Sequence, residues 1–524
     1  METIRELIED SAKKYAKNIS ILKNKNEYDT YEELRDNVKY LGTYFLNDNY
    51  EGKKVAIIGS NCYEWALSFL AVSTGVGVSV PLDKELTEQE LERCLEKVKV
   101  DYILYNDYAS EKINNISKKL NIPIIHFKEI KKFVKKGKEI YEDGYDKYDI
   151  IKCNKNDVAA LFFTSGTSSN SKVVMLSQNN ITFDAYASCA SFKIREDDRY
   201  FSVLPMSHTF ELIGTLFVPL ASGCSLCFST SLKNIKKELL IYKPTAINCV
   251  PRVLEFFVGS IKSQIKSKHL EKKFSFGLKL CNLFDKTGIN IRKKVFKEIH
   301  EQFGGNIRML GCGGAKLDNA TFDYLNSVGF EIYQGYGLTE TSPVISIRGH
   351  FIKNKKSVGK PIIGTKIKVV DKDKNGIGKI MVKGPQVMLG YYRQPKETKK
   401  VLKRGWFDTG DLGFYDEYDC LNIVGRDKNV IIANNGKNVY PEEIEEILNS
   451  YDIIKESVVK GIKKNNITII LAQVVLNEYN DDSETIVSDI IKEVNKGLAS
   501  YKHIGKFEIM TTEFNKTTTM KIKR

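Results

Sequence analysis

Residues 53–83, KKVAIIGSNCYEWALSFLAVSTGVGVSVPLD, leave the chain few folds to choose from. A β-branched run, a helical stretch and a second Val-rich run form one unit. Two strands joined by a helix in this way lie parallel, and a parallel sheet must be covered by helices on its faces. The runs VDYILYND, NIPIIHF, DVAALFF, RYFSVLP, TAINCV, IRMLGC and FEIYQGYG continue the alternation. The expected class is α/β. It comprises parallel-rich sheets with helices, followed by a smaller α+β part at the C-terminus.

At 524 residues the chain exceeds a single ordinary core. Its texture changes after residue 360. TKIKVVDKDKNGIGKIMVKG reads as two short strands around an Asp/Asn/Gly turn. PEEIEEILNS opens a helix, with Pro441 at the first turn and Ile444, Ile447 and Leu448 on one face. ESVVKGIKKNNITIILAQVVL reads as a hairpin and SETIVSDIIKEVNKGL as a helix. The expected domains are 1–427 and 428–524.

Two uncharged runs, Trp65–Leu82 and Leu212–Leu232, are interrupted by Gly75, Gly77 and Pro81, and by Gly214, Pro219 and Gly223. Buried helix, turn and strand explain them better than membrane spans. The charged N-terminus lacks a signal-peptide core. Cys224 and Cys227 sit in the apolar run GCSLCF, so a buried strand is expected there rather than a zinc or redox site. The setting expected is reduced and cytoplasmic. Lys and Arg outnumber Asp and Glu by 80 to 66, a net charge of +14, which favours anionic partners. The lysines are spread along the whole chain, so no nucleic-acid stripe is expected. Residues 260–305 form a basic helical stretch. It reads either as an exposed hairpin or as a patch facing an acidic cofactor or lipid headgroups, leaving peripheral membrane association open.

LFFTSGTSSNSKVVMLSQ, from Leu161 to Gln178, carries the first chemical signal. Gly166 and Lys172 have the separation of a mononucleotide P-loop. However, Val173 stands where that motif needs a magnesium-binding hydroxyl, and valine cannot ligate a hard cation. What remains is a set of hydroxyls, Thr164, Ser165, Thr167, Ser168 and Ser169, with Lys172 as a point charge. Such a loop can wrap phosphates; a plain Ser/Thr-rich surface loop is the alternative.

TSGTSSNSK resembles the phosphate loop of the adenylate-forming (AMP-binding) superfamily, most like the long-chain fatty acyl-CoA synthetases. It departs from that pattern at Ser169, Ser171 and Val173. GCGGAKLD, YQGYGLTETSP, GWFDTGDLG with VGRDKNVI, and FNKTTTMKIKR resemble further motifs in the family's order, so the resemblance covers essentially the whole chain. It implies a large N-terminal domain of parallel-rich sheets with helices plus a β-barrel-like subdomain, a small mobile C-terminal α+β domain, and an adenine wall at Gly314 and Ala315. Gly335, Tyr336 and Gly337 would lie against the nucleotide, with Thr339 on the α-phosphate. Glu340, with Thr164, would hold magnesium. Asp411 would take the ribose hydroxyls and Arg426 ribose and phosphate. Lys428 would be a hinge, Gly436 would line a thiol tunnel, and Lys521 would be the catalytic lysine. His208 would stand near the acid's carboxylate or gate the thiol, or would be structural.

The implied reaction uses ATP and Mg2+ to form an acyl-adenylate. Transfer to coenzyme A then gives acyl-CoA, AMP and pyrophosphate. The SHTFE stretch and the 260–305 insertion look most like the long-chain fatty-acid branch of the family, which implies a medium- or long-chain fatty acid. Leu212, Ile213, Leu216, Phe217 and Val218 face either an alkyl chain or the core. Transfer to an acyl carrier protein, amino-acid activation with Glu211 holding the amine, and non-catalytic nucleotide or acyl-CoA binding are the alternatives.

Overall fold

The computed structural model describes residues 1–164, 171–349, 354–464, 467–516 and 522. The chain forms two compact units. One is built from residues 1–366 and 383–405, the other from 367–382 and 406–524. Residues 406–427 thus fall in the second unit, upstream of the 427/428 boundary read from the sequence.

In the first unit the opening stretch folds as expected. Lys54–Ile58 and Val78–Leu82 are parallel strands joined through the helix Tyr63–Ala71. Tyr102–Tyr105 and Ile124–His126 extend this sheet on one side, and Val158–Phe163 continues it on the other. Val173–Ser177 then returns antiparallel to Val158–Phe163. Ala56, Ile58, Val80, Ile103 and Leu161 are fully buried, as a sheet covered on both faces requires.

A second sheet orders the strands Glu331–Gly337, Met309–Cys312, Ala246–Cys249, Arg199–Ser202 and Ser225–Phe228 side by side and parallel. The residues just before three adjacent strands are clamped together. Asp198, 1% exposed, accepts hydrogen bonds from Thr245 Oγ1 (2.7 Å), Arg308 Nε (2.9 Å) and the Arg195 backbone (2.8 Å). Arg308 also pairs through its second nitrogen with the other Asp198 oxygen.

The uncharged run after Leu212 is a helical stretch, a turn at Gly223 and the strand Ser225–Phe228, which contains Cys227; Cys224 and Cys227 are both buried and free. No helix among the described residues is long and apolar enough to cross a membrane.

In the second unit, Gly378–Lys383, Trp406–Tyr415 and Leu421–Arg426 form an antiparallel sheet. Ile454–Lys464 and Ile467–Leu476 make the expected hairpin, backed by the helices Pro441–Leu448 and Ser483–Gly497. A further strand, Ile504–Met510, pairs parallel to Ile467–Leu476. One expectation fails in detail. Ile444 and Leu448 are buried but Ile447 is exposed, and Glu445 is turned inward because its carboxylate accepts the Val459 N–H at 2.6 Å.

Candidate functional site

Val158–Phe163 and Val173–Ser177 are paired up to Phe163↔Val173, and the loop between them is closed at its base. The Thr164 N–H donates to the Lys172 carbonyl at 2.9 Å, and the Lys172 N–H donates to Thr164 Oγ1 at 3.2 Å. This antiparallel hairpin differs from the strand-to-helix turn of a P-loop NTPase, and Val173 is a core residue of its returning strand. Ser165, Gly166, Thr167, Ser168 and Ser169 lie outside the described residues, as does Lys521.

Ligands of open parallel sheets bind beyond the carboxyl ends of the strands. That edge of the second sheet gathers several expected residues. Arg199–Ser202 leads to His208, Met309–Cys312 to Gly314 and Ala315, and Glu331–Gly337 through Tyr336 into the turn holding Thr339 and Glu340. Gly314 has φ 80°, and Val250 Cγ1, at 3.7 Å, is the nearest atom to where its Cβ would stand. At Gly335 that nearest distance is 3.9 Å. Both positions leave bare backbone that a flat base can approach. At Gly337 a Cβ would lie 1.7 Å from the Pro343 carbonyl oxygen, so the turn admits only glycine.

The loop lysine and the acidic turn meet at a residue that no motif flagged. Tyr391 Oη donates to Glu340 Oε1 at 2.9 Å, and Lys172 Nζ stands 4.5 Å from the centre of the same ring. Tyr391 is placed by pairing with Val174, and the Glu340 carbonyl is held by the Met388 N–H at 2.9 Å. Lys172 also lies 3.9 Å from Glu397. The helix Gln178–Ser191 braces both neighbours. Asn180 Nδ2 donates to the Pro385 and Val387 carbonyls, and the buried Asp184 accepts the Val344 N–H at 3.0 Å. Two tyrosines after a glycine in MLGYYRQP were the available signal for Tyr391. A hard carboxylate, a lysine and open glycine backbone on neighbouring segments fit a magnesium-bound nucleotide.

His208 Nε2 lies 3.3 Å from Asp83 Oδ2, at the end of Val78–Leu82. Leu212, Ile213, Leu216, Phe217 and Val218 are all buried, and the Phe217 and Phe69 rings pack edge to face with centroids 6.0 Å apart. Glu211 is 0% exposed, and its Oε1 accepts from Ser202 Oγ (2.6 Å) and the Val203 N–H (3.1 Å). Burial pushes its carboxyl from 4.5 up to about 8, against the pull of those hydrogen bonds. A carboxyl raised on folding contributes stability in full below its unfolded value and loses it as pH climbs through the folded one. Urea midpoints should therefore fall between pH 4.5 and about 8 in the native chain, and this component should vanish in Glu211→Gln.

In the second unit Asp411 and Arg426 are cross-strand partners, with Arg426 Nε 2.9 Å from Asp411 Oδ1. Lys428 is in an exposed single turn, Asp427–Asn429. Gly436, at φ 75°, has open space around it, in the loop before Asn438–Val439. Lys516 is held by Glu456 and Glu513, each at 2.8 Å, and Ile522 returns to pair with Lys516.

The family model described as AMP-binding enzyme matches residues 8–392, and that of the AMP-binding enzyme C-terminal domain matches 428–524. The chain belongs to the AMP-binding enzyme family. It is an adenylate-forming acid–CoA ligase. This AMP-binding enzyme is 26% identical over 522 residues to long-chain-fatty-acid–CoA ligase FadD15 of Mycobacterium bovis, covering 90% of this chain and 86% of that one. It is 29% identical over 441 residues to the chloroplastic long-chain-fatty-acid–[acyl-carrier-protein] ligase AEE15 of Arabidopsis thaliana, covering 71% and 60%. In fold, the AMP-binding enzyme resembles o-succinylbenzoate CoA synthetase (MenE) of Bacillus subtilis, with TM-score 0.77, 22% identity and coverage of 98% and 96%. MatB of Rhodopseudomonas palustris gives TM-score 0.78, 22% identity and coverage of 99% and 97%.

Proposed function

We propose that the chain activates a medium- or long-chain fatty acid with ATP and Mg2+, then transfers the acyl group to coenzyme A. The observation that carries this reading is the meeting of Lys172 and Glu340, far apart in sequence, at Tyr391, one over its ring and the other on its hydroxyl. The choice of acid rests on relatives such as FadD15, named as long-chain fatty acid ligases.

A carboxylate attacking the α-phosphorus brings negative charges together, so catalysis is mostly positioning and charge stabilisation. Bound magnesium would neutralise phosphate charge, held by Glu340 with Thr164. Tyr391 fixes the Glu340 carboxylate. Lys172, with Ser165, Gly166, Thr167, Ser168 and Ser169, holds the departing pyrophosphate. Thr339 binds the α-phosphate, while Gly314, Ala315, Gly335, Tyr336 and Gly337 bound the adenine. Asp411 and Arg426 hold the ribose, and His208, oriented by Asp83, attends the acid. Lys521 supplies charge to the transition state.

The division of labour falls at Lys428, where residues 428–524 turn as a mobile domain, withdrawing Lys521 and presenting the segment around Gly436 to the thiol. Lys428→Pro should therefore depress thioester formation roughly tenfold more than adenylation. Equal losses in the two half-reactions would remove the hinge from the account.

A second reading, acyl transfer to an acyl carrier protein, is favoured by the likeness to AEE15. One experiment separates these readings. Pyrophosphate exchange is measured with a panel of acids, followed by mass spectrometry of products formed with coenzyme A or holo-carrier protein. Exchange with dodecanoic to octadecanoic acids, abolished by chelating magnesium, and acyl-CoA as product is the expected result. Exchange only with amino or aryl acids, or nucleotide binding without exchange, would overturn it.

A further inference from the structure

The helix Glu271–Asp285 is seated by one face and bare on the other. Gly277 and Cys281 are buried, and Phe274 and Leu278 pack against the core of the second sheet. At Gly277 a Cβ would come within 3.1 Å of Val295 Cγ1, so the helix lies close to its support. The outward face is a single line of residues at alternating steps of four and three: Lys272, Phe276, Lys279, Leu283 and Lys286. Phe276 is 67% exposed and Leu283 61%, and Ile289, just past the helix, is 54% exposed. Large side chains this exposed protrude as knobs.

The surrounding charge is one-sided. Residues 261–295 carry ten Lys and Arg against two acidic residues, and one of those, Asp285, is neutralised by Arg292. A second copy of the chain would set lysine against lysine, which disfavours self-association through this face. A partner must accept protruding apolar groups and several cations on the same line. The boundary of an anionic bilayer does both: lysines reach the lipid phosphates while the apolar side chains between them enter the acyl region.

We propose that this face docks the protein on an anionic lipid surface. Phe276, Leu283 and Ile289 enter the interface, and Lys272, Lys279 and Lys286 lie among the headgroups. The proposal is independent of which acid the enzyme activates.

The test is sedimentation of the full-length chain with phosphatidylcholine vesicles containing or lacking about 30% phosphatidylglycerol. The native chain should partition onto the anionic vesicles, release with salt, and remain free of the neutral ones. Phe276→Ser with Leu283→Ser, and separately Lys272→Glu with Lys279→Glu, should each lower partitioning at least about tenfold. Thermal midpoint and exchange activity on a water-soluble acid should stay native. As a measurement that needs no substitution, backbone amides of 271–289 should gain protection from hydrogen exchange on anionic vesicles. Failure of the native chain to bind anionic vesicles, or native binding by both variants, would overturn the proposal. So would retention of an acidic carrier protein through this face in a chain that ignores vesicles.

Discussion

Lys521→Ala should lower ATP–pyrophosphate exchange by about 10²–10³-fold, the loss expected when one preorganised charge partner of a transition state is removed. The carboxylate and the triphosphate are both anionic, and the small acid–base demand of the reaction leaves little else for a lysine at this motif to do. Transfer of a preformed acyl-adenylate to coenzyme A should be much less affected, because the proposed rotation withdraws this residue before the thiol arrives. The neighbouring anchor gives an internal comparison. Glu456 holds Lys516 at 2.8 Å and accepts the Phe514 N–H at 3.0 Å, tying the start of the motif to the hairpin strand Ile454–Lys464. Glu456→Gln loosens that tie without removing the catalytic charge, so its effect on exchange should be smaller. Near-native exchange by Lys521→Ala would end the assignment.

The largest stability effect is expected at the strand starts. Arg308→Ala would leave Asp198, 1% exposed, as a buried carboxylate without its cation. Breaking such a pair from one side costs about 3–5 kcal/mol. The urea midpoint should fall accordingly. Replacing both partners, Asp198→Leu with Arg308→Met, should restore much of the loss, since it removes the uncompensated charge. If the double variant were as unstable as the single one, the loss would have to be assigned to something other than that charge.

Much of the fold was legible in the sequence because parallel strands buried on both faces must be short and β-branched. VAII, ILY and INCV could hardly be anything else. The strand Ile504–Met510 was missed because IGKFEIM mixes Gly, Lys and Glu into a run that is only partly covered, so neither strict alternation nor a continuous apolar pattern emerges. Ile447 was misread because helical spacing reports which side of a helix is apolar, not how far the neighbouring strands reach around it. Glu445 took the inward place because the Val459 N–H needed an acceptor. At the candidate site, motif residues could be named in advance because their order along the chain resembles a family pattern. Tyr391 and Asp83 could not. Their roles come from touching Glu340 and His208, and such pairings exist only once distant segments are folded together.

The hydrogen bonds that tie Thr164 to Lys172 bear on how freely the intervening residues can drift over evolutionary time. The lysine takes its position from the paired strands on either side of the loop, so a substitution between the two posts can change the hydroxyls that face phosphate without moving the charge. Valine at 173 is then no defect of a nucleotide loop; it belongs to the masonry that keeps the post upright.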